Sequence, residues 1–259
     1  MEMEMEMEML ETVLVSVIIP VYNSEKYLVE TLDSAIGQTY RDIEIVIVDD
    51  CSTDASSKII SNYMLHNKNI IYIRHETNQG AAVARNTGIH SARGRFIAFL
   101  DSDDVWDKTK IERQIRHMRE KKAGFGFTAY DMIDSDGQQI KGKTKIKEHI
   151  VYKDQLTKTM ISTPTVILDT TILGNVEIPL RRTGQDYALW LKLLREYDAF
   201  GIDEALVHVR RRPSSLSKNK FQNVRDVWEV QTRNEKIPRI KALANVFRYC
   251  VFTLKKRLL

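Results

Sequence analysis

The chain has 259 residues, 43% hydrophobic and 29% charged, which is enough apolar material for a substantial core and too much for a disordered polymer. Its 11 Gly, 5 Pro and 2 Cys exclude collagen-like, low-complexity and disulfide-scaffold proteins. The net charge of +4 is unevenly placed: residues 205–259 hold 14 Lys and Arg against 3 Asp and Glu, so the last fifth is strongly basic and the rest acidic.

Residues 1–12 open on an alternating Met/Glu repeat without the basic and apolar regions of a secretory signal, and are set apart from the fold. No run reaches the roughly 18–20 apolar residues of a bilayer span. A cytoplasmic protein is expected, peripheral at most to the inner face of the cell membrane. Cys51 and Cys250 belong to no Cys/His cluster and read as reduced thiols.

From there strand and helix alternate. Val15–Tyr22 is a nearly continuous apolar run suited to a strand covered on both faces. Ser24 is placed to cap a helix running to Ile36. Ile43–Val48 reads as a strand, Thr53–Tyr63 as a helix, Ile70–Arg74 as a strand, Gly80–Ser91 as a helix and Phe96–Leu100 as a fourth strand. This beat predicts an α/β fold with a Rossmann-like, mostly parallel central sheet flanked by helices, binding ligands beyond the carboxyl ends of its strands. The beat then breaks: a charged helix over Lys108–Lys121, a strand over Phe125–Ile133, a turn at Asp134–Gly137 able to close a hairpin, a strand over Thr165–Leu168 and a helix over Asp186–Tyr197. The expected organisation is one continuous domain over 13–217, whose pattern changes between 106 and 107, then a basic helical tail over 218–259.

Two acidic clusters fall where such a sheet holds its ligand. Asp49 and Asp50 end the second strand; Asp101, Asp103 and Asp104 follow the fourth. Crowded carboxylates repel unless a cation or hydrogen-bond donors offset them, and an Asp-x-Asp turn suits a hard divalent ion that keeps positions open for phosphate oxygens. Helix capping is the plainer reading of Asp50, Ser52 and Asp104. The first strand runs into Pro20-Val-Tyr-Asn23 and not into GxGxxG, and GxxxxGK[ST] is absent, which removes the main support for dinucleotide-binding and P-loop readings.

The segments Ser16–Asn23, Val48–Asp54, Asn78–Gly88 and Phe99–Asp104 resemble, in order and spacing, the nucleotide-binding half of family 2 glycosyltransferases with the GT-A fold, the likeness extending over residues 15–217. The resemblance implies that Pro20, Val21 and Tyr22 line a nucleotide pocket, that Asp50, with Asp49 as its lesser partner, reads the base, and that Arg85 reaches the base or the phosphates. It makes Asp101 the ribose-side acid, Asp103 the direct ligand of Mn²⁺ or Mg²⁺, and leaves Asp104 as a helix cap. Gly184–Leu191 is similar to the family's acid pair at the start of a helix: Gln185 stands where Glu is usual, and Asp186 takes the place of the catalytic base. Trp190 reads as core. Arg212 stands where many relatives have a metal-binding His; an arginine cannot ligate a cation but can neutralise a diphosphate directly. His208 is a weaker substitute ligand.

The tail carries a pattern of its own. On a helical wheel Ile240, Leu243, Ala244, Phe247, Val251, Leu254 and Leu258 share one side, flanked by Arg239, Lys241, Arg248, Lys255 and Arg257. Such a stripe over residues 236–259 fits an anionic membrane surface, or equally a helix docked on the catalytic domain or on a second copy; nucleic acid is not expected. The resemblance makes 13–217 a catalytic domain with a nucleotide-binding half (13–106) and an acceptor half (107–217), and with the basic tail it implies an inverting, metal-dependent hexosyltransferase using a UDP-sugar and a glycan or lipid-linked glycan acceptor in bacterial lipopolysaccharide, capsule or O-antigen synthesis. The alternatives are a polyprenyl-phosphate sugar synthase and a non-catalytic nucleotide-sugar or membrane-surface binding module. The donor sugar, the linkage and the oligomeric state are not encoded in any motif.

Overall fold

Strands buried on both faces need apolar side chains at successive positions, and β1 (Val15–Val21) and β2 (Ile43–Asp49) supply them without interruption. The computed structural model describes residues 13–158, 160–211 and 220–258. Side chains alternate across each strand, so Ile18, Val46 and Val48 enter one core layer while Val17, Ile19, Ile45 and Ile47 enter the other. Helix α1 (Leu28–Ile36) packs on the second layer through Leu28 and Leu32, and α2 (Ser56–His66) lies on the same side through Ile60.

The sheet continues with β3 (Ile70–Arg74), β4 (Phe96–Phe99), β5 (Val105–Trp106), β6 (Phe125–Ile133), β7 (Gln139–Lys141), β8 (His149–Ile150), β9 (Ile167–Asp169) and β10 (Ala199–Arg210). Its order is β3-β2-β1-β4-β9-β6-β10-β5, with β7 on β6 and β8 on β10. Parallel pairing joins β3, β2, β1 and β4, as well as β6 and β10. Because β9 is antiparallel to both β4 and β6, all the longer strands run in one direction. Their carboxyl ends therefore share one edge, the mostly parallel α/β arrangement expected from the alternation. The turn after Ile133 does close a hairpin onto β7.

The remaining helices are α3 (Ala81–Ser91), α4 (Lys110–Lys121), α5 (Tyr152–Lys158), the short α6 (Thr170–Leu173), α7 (Gln185–Leu193), α8 (Lys220–Glu229) and α9 (Arg239–Leu258). Helix α3 lies directly on β1: a Cβ at Gly88 would sit 2.5 Å from Ile18 Cγ2, so this close approach requires glycine. Helix α7 closes the same layer with Trp190 set against Phe99 and Phe125. A third apolar cluster joins α5, α7, α8 and α9 through Leu156, Leu191, Val227, Val230 and Val246.

Sequence expectations shift at helix starts: the helix predicted from Thr53 begins at Ser56. The helix predicted from Ser24 begins at Leu28, because the Ser24 carbonyl accepts the Tyr27 and Leu28 N–H groups in a turn while its hydroxyl is used elsewhere. Asp104, expected as a helix cap, starts no helix: β5 follows it, and the cap-like role falls to Asp107, which accepts the Thr109 N–H at 2.8 Å.

Lys110 is fully buried, with its Nζ 3.9 Å from the Trp106 ring centroid and no hydrogen-bond partner among the described residues. Burial drives its pKa well below the ordinary lysine range. The unfolded chain then binds a proton that the folded chain does not, so stability rises with pH up to the ordinary lysine range. Lys110→Met keeps the packing of the stem and removes the desolvated amine. It should raise the thermal midpoint near neutral pH by about 2–4 °C, roughly 1 kcal/mol for a chain of this size, with the gain shrinking as pH rises, as thermal melts at several pH values would show.

Candidate active site

Register places the two acidic strand ends side by side. Val21 pairs with Asp49 and Ile18 with Phe99, so residues 49–52 and 101–104 emerge on either side of the end of β1. Side-chain hydrogen bonds tie them through residues 23 and 24: Asn23 N–H donates to Ser52 Oγ at 3.0 Å, and the Ser24 and Ser102 hydroxyls meet at 2.7 Å. Pro20 and Val21 end β1, and Tyr22 follows them half exposed at the same edge.

Both acids after β2 are buried and heavily used. Asp50 accepts the Gln79 N–H at 2.9 Å, the Gly80 N–H at 2.7 Å and faces His75 Nδ1 at 2.8 Å, anchoring the loop that leads into α3. Asp49 accepts the Ser52 N–H and the Tyr72 hydroxyl, which burial and this carboxylate push up to about 12. Three donors still leave a carboxylate one acceptor position, so Asp50 keeps the capacity to meet one more N–H.

In the turn after β4 exposure alternates. Ser102 and Asp104 are buried, whereas Asp101 and Asp103 are half-buried. Asp104 faces inward and accepts the Arg210 N–H at 2.8 Å, and the Asp103 carbonyl accepts Arg210 Nε at 2.9 Å. Arg210 also pairs with Glu30, donates to the Asp134 carbonyl and lies over the Tyr27 ring, which pins the acidic turn to α1 and to the β6–β7 hairpin. Nothing in the sequence separates Arg210 from Arg211 and Arg212; only its inward register at the end of β10 does. Arg212 lies outside the described residues. His208 is paired with Asp131 at 2.6 Å and stands apart from the acidic turn in hydrogen bonding.

The central feature is Arg85. Its guanidinium, on α3 and 6% exposed, donates to Asp101 Oδ1 at 2.6 Å and contacts Asp186 Oδ1 at 3.4 Å. Burial opposes the charge, but the two carboxylates outweigh it and hold Arg85 firmly protonated. In the amide orientation that satisfies both of its neighbours, Gln185 would donate to the Arg181 carbonyl and present its oxygen to Arg85 Nη1 at 3.0 Å. A neutral amide at this position adds an acceptor without adding a third negative charge. A buried cation requires compensation, and Arg85 draws the Asp-x-Asp turn and the Asp186 carboxylate together.

Asp186 sits at the start of α7, behind Gly184 in the left-handed region at φ 68°. Thr183 donates to Asp226 of α8 at 2.7 Å, so α8 braces the turn that sets Asp186. Asp186 borders a cleft of about 250 Å³ lined also by Gln155, Ser162, Thr163, Tyr187 and Trp190. Trp190 is core by burial, yet it lines this cleft and its indole N–H has no partner among the described residues. The arrangement can hold a polar molecule beside a half-exposed carboxylate. No group of three metal-ligating side chains occurs among the described residues.

A Cβ at Gly184 would stand 2.9 Å from Asp226 Cβ and would force a non-glycine residue to a positive φ. Gly184→Ala should therefore destabilise the fold by about 1–3 kcal/mol, read as a lower urea midpoint at unchanged slope.

Against this geometry the comparisons can be read. The model of glycosyl transferase family 2 matches residues 16–176. The putative teichuronic acid biosynthesis glycosyltransferase TuaG of Bacillus subtilis is 39% identical over 95% of this chain and 98% of its own. WfaP of Escherichia coli, a UDP-Glc:alpha-D-GlcNAc-diphosphoundecaprenol beta-1,3-glucosyltransferase, is 40% identical over 82% of each chain. Among solved structures, S. aureus TarS in complex with UDP-GlcNAc superposes with a TM-score of 0.69 at 22% identity, covering 92% of this chain and 71% of that one. The mannosyltransferase PcManGT of Pyrobaculum calidifontis, in complex with GDP-Man and Mn²⁺, gives 0.69 at 15% identity, covering 95% and 74%. Matched by the family model over most of its two-layered core and by relatives over nearly its whole length, this chain belongs to glycosyl transferase family 2 and carries the GT-A fold.

Proposed function

We propose that the protein transfers a hexose from a UDP-sugar to a hydroxyl of a lipid-linked glycan, with inversion at the anomeric carbon, in the assembly of a bacterial surface glycan. The observation that carries this reading is the Arg85 bridge, which sets the Asp186 carboxylate beside the acidic turn and at the lip of a cleft. An acceptor hydroxyl is a weak nucleophile. As its oxygen bonds to the anomeric carbon, Asp186 takes the proton while the bond to the diphosphate breaks on the opposite face, and a single displacement inverts the centre. The relatives' names support the choice of substrates: WfaP and WfgD of Escherichia coli, the latter 35% identical to this chain, are both named for UDP-Glc and a diphosphoundecaprenol-linked acceptor.

The donor side is assigned in keeping. Tyr22, Pro20 and Val21 face the nucleotide, Asp50 and Asp49 receive the base, and Asp101 the ribose. Two carboxylates on a turn, Asp103 with Asp101, are the oxygen donor set for Mn²⁺ or Mg²⁺, ions that complete their shell with water and phosphate. A cation held there would neutralise charge on the departing diphosphate. Arg212 would add its own charge to the same group.

Asp186→Asn should lower transfer to a hydroxyl acceptor by about a hundredfold or more while UDP binding persists, measured by product formation beside a UDP thermal shift. Unchanged turnover would instead point to an acceptor phosphate, as in a polyprenyl-phosphate sugar synthase. Arg85→Lys supplies charge without the fork that spans two carboxylates and should lower turnover by about tenfold to a hundredfold in a stably folded variant. EDTA and Asp103→Ala should each abolish transfer, with Mn²⁺ restoring it only in the chelated wild type; transfer that survives both treatments would reject the metal assignment.

A further inference from the structure

Helix α9 has two apolar faces, and only one is used. Val246 and Tyr249 are buried in the cluster shared with α5 and α8, and Ala242 on the same face is buried too. On the other side Ile240, Leu243, Phe247 and Val251 are 86%, 62%, 69% and 37% exposed. These four recur at helical spacing and form a single stripe, which is the one predicted from the sequence; docking on the rest of the molecule is done by the face that the wheel left aside. Isolated exposed apolar residues are ordinary, but a continuous stripe marks a surface that meets something.

The charges beside it identify the partner. Arg239, Lys241 and Arg248 are exposed around the stripe, and residues 236–259 contain seven Lys and Arg and no acid. A second copy laid on this face would set two such cationic sets against each other, which is unfavourable. Anionic lipid headgroups neutralise them while the apolar side chains enter the interface. No helix among the described residues is long and apolar enough to cross a membrane. We infer that the outer face of α9 is a docking surface for an anionic lipid bilayer, with the helix lying in the interface plane.

The inference stands on α9 alone and does not depend on the assignment of the reaction. It has a consequence for the cleft. Helix α9 packs against α5, which supplies Gln155 to the cleft wall, and the same cluster includes Tyr187 and Leu191 of α7. The helix that meets the bilayer is thus fastened to the two helices that wall the cleft, and docking would hold that cleft near the membrane surface.

Co-flotation of the full-length protein with phosphatidylcholine vesicles, with and without phosphatidylglycerol, tests this. The wild type should float only with the anionic vesicles, and less so as salt rises. Leu243→Asp with Phe247→Asp, both at exposed positions, should reduce binding by about tenfold or more at unchanged thermal midpoint and UDP binding. Equal flotation of the double variant, failure of the wild type to float, or a concentration-dependent wild-type dimer lost in the double variant would each overturn it.

Discussion

A cation taken out of water persists only where opposite charge compensates it, and in this fold that constraint falls on Arg85. Its two carboxylate partners come from different halves of the chain: Asp101 from the turn after β4, and Asp186 from the start of α7, 101 residues away in sequence from Arg85 itself. Neither acid can move off without leaving the guanidinium short of compensation. The bridge therefore makes one unit of the acidic turn and the proposed base, and the close seat of α3 on β1 at Gly88 fixes where the unit lies.

Around it a second set of interactions fixes the edge at the carboxyl ends of the strands. The Ser24–Ser102 contact joins the two strand-end loops, and Arg210 ties the acidic turn to α1 and to the hairpin. The alternation within 101–104 separates roles by exposure, with Asp101 and Asp103 turned toward the edge and Ser102 and Asp104 holding the turn in place. On the acceptor side α8 props Gly184 through Asp226, so the tail bears on the position of Asp186 as well as on α9.

Much of this was readable before any coordinates. Continuous apolar runs marked β1 and β2, because a doubly covered strand leaves little freedom in composition, and the expected bounds of β3 and β6 match to the residue. The ordered motifs marked the family and both acidic clusters. What the sequence could not give was partnership across distance. Asp104 looked like a cap because capping is local, whereas its partner Arg210 is 106 residues away. The pairing of Arg85 with Asp186 is equally illegible, because it depends on how α7 returns to the sheet. The helical wheel found the stripe on α9 but not the opposite docked face, since Ala242, Val246 and Tyr249 form a face only once α5 and α8 are in place.

The account rests on one spatial claim, that the acidic turn and Asp186 converge on a single cleft that takes donor and acceptor together. A crystal structure of the wild type with a UDP-sugar and Mn²⁺ tests it most directly. The account predicts density for the cation on Asp103 and the anomeric carbon of the sugar between the diphosphate and the Asp186 carboxylate, with Arg85 still bridging. A sugar bound with Asp186 turned away from its anomeric carbon, or a cation held by other residues, would contradict it.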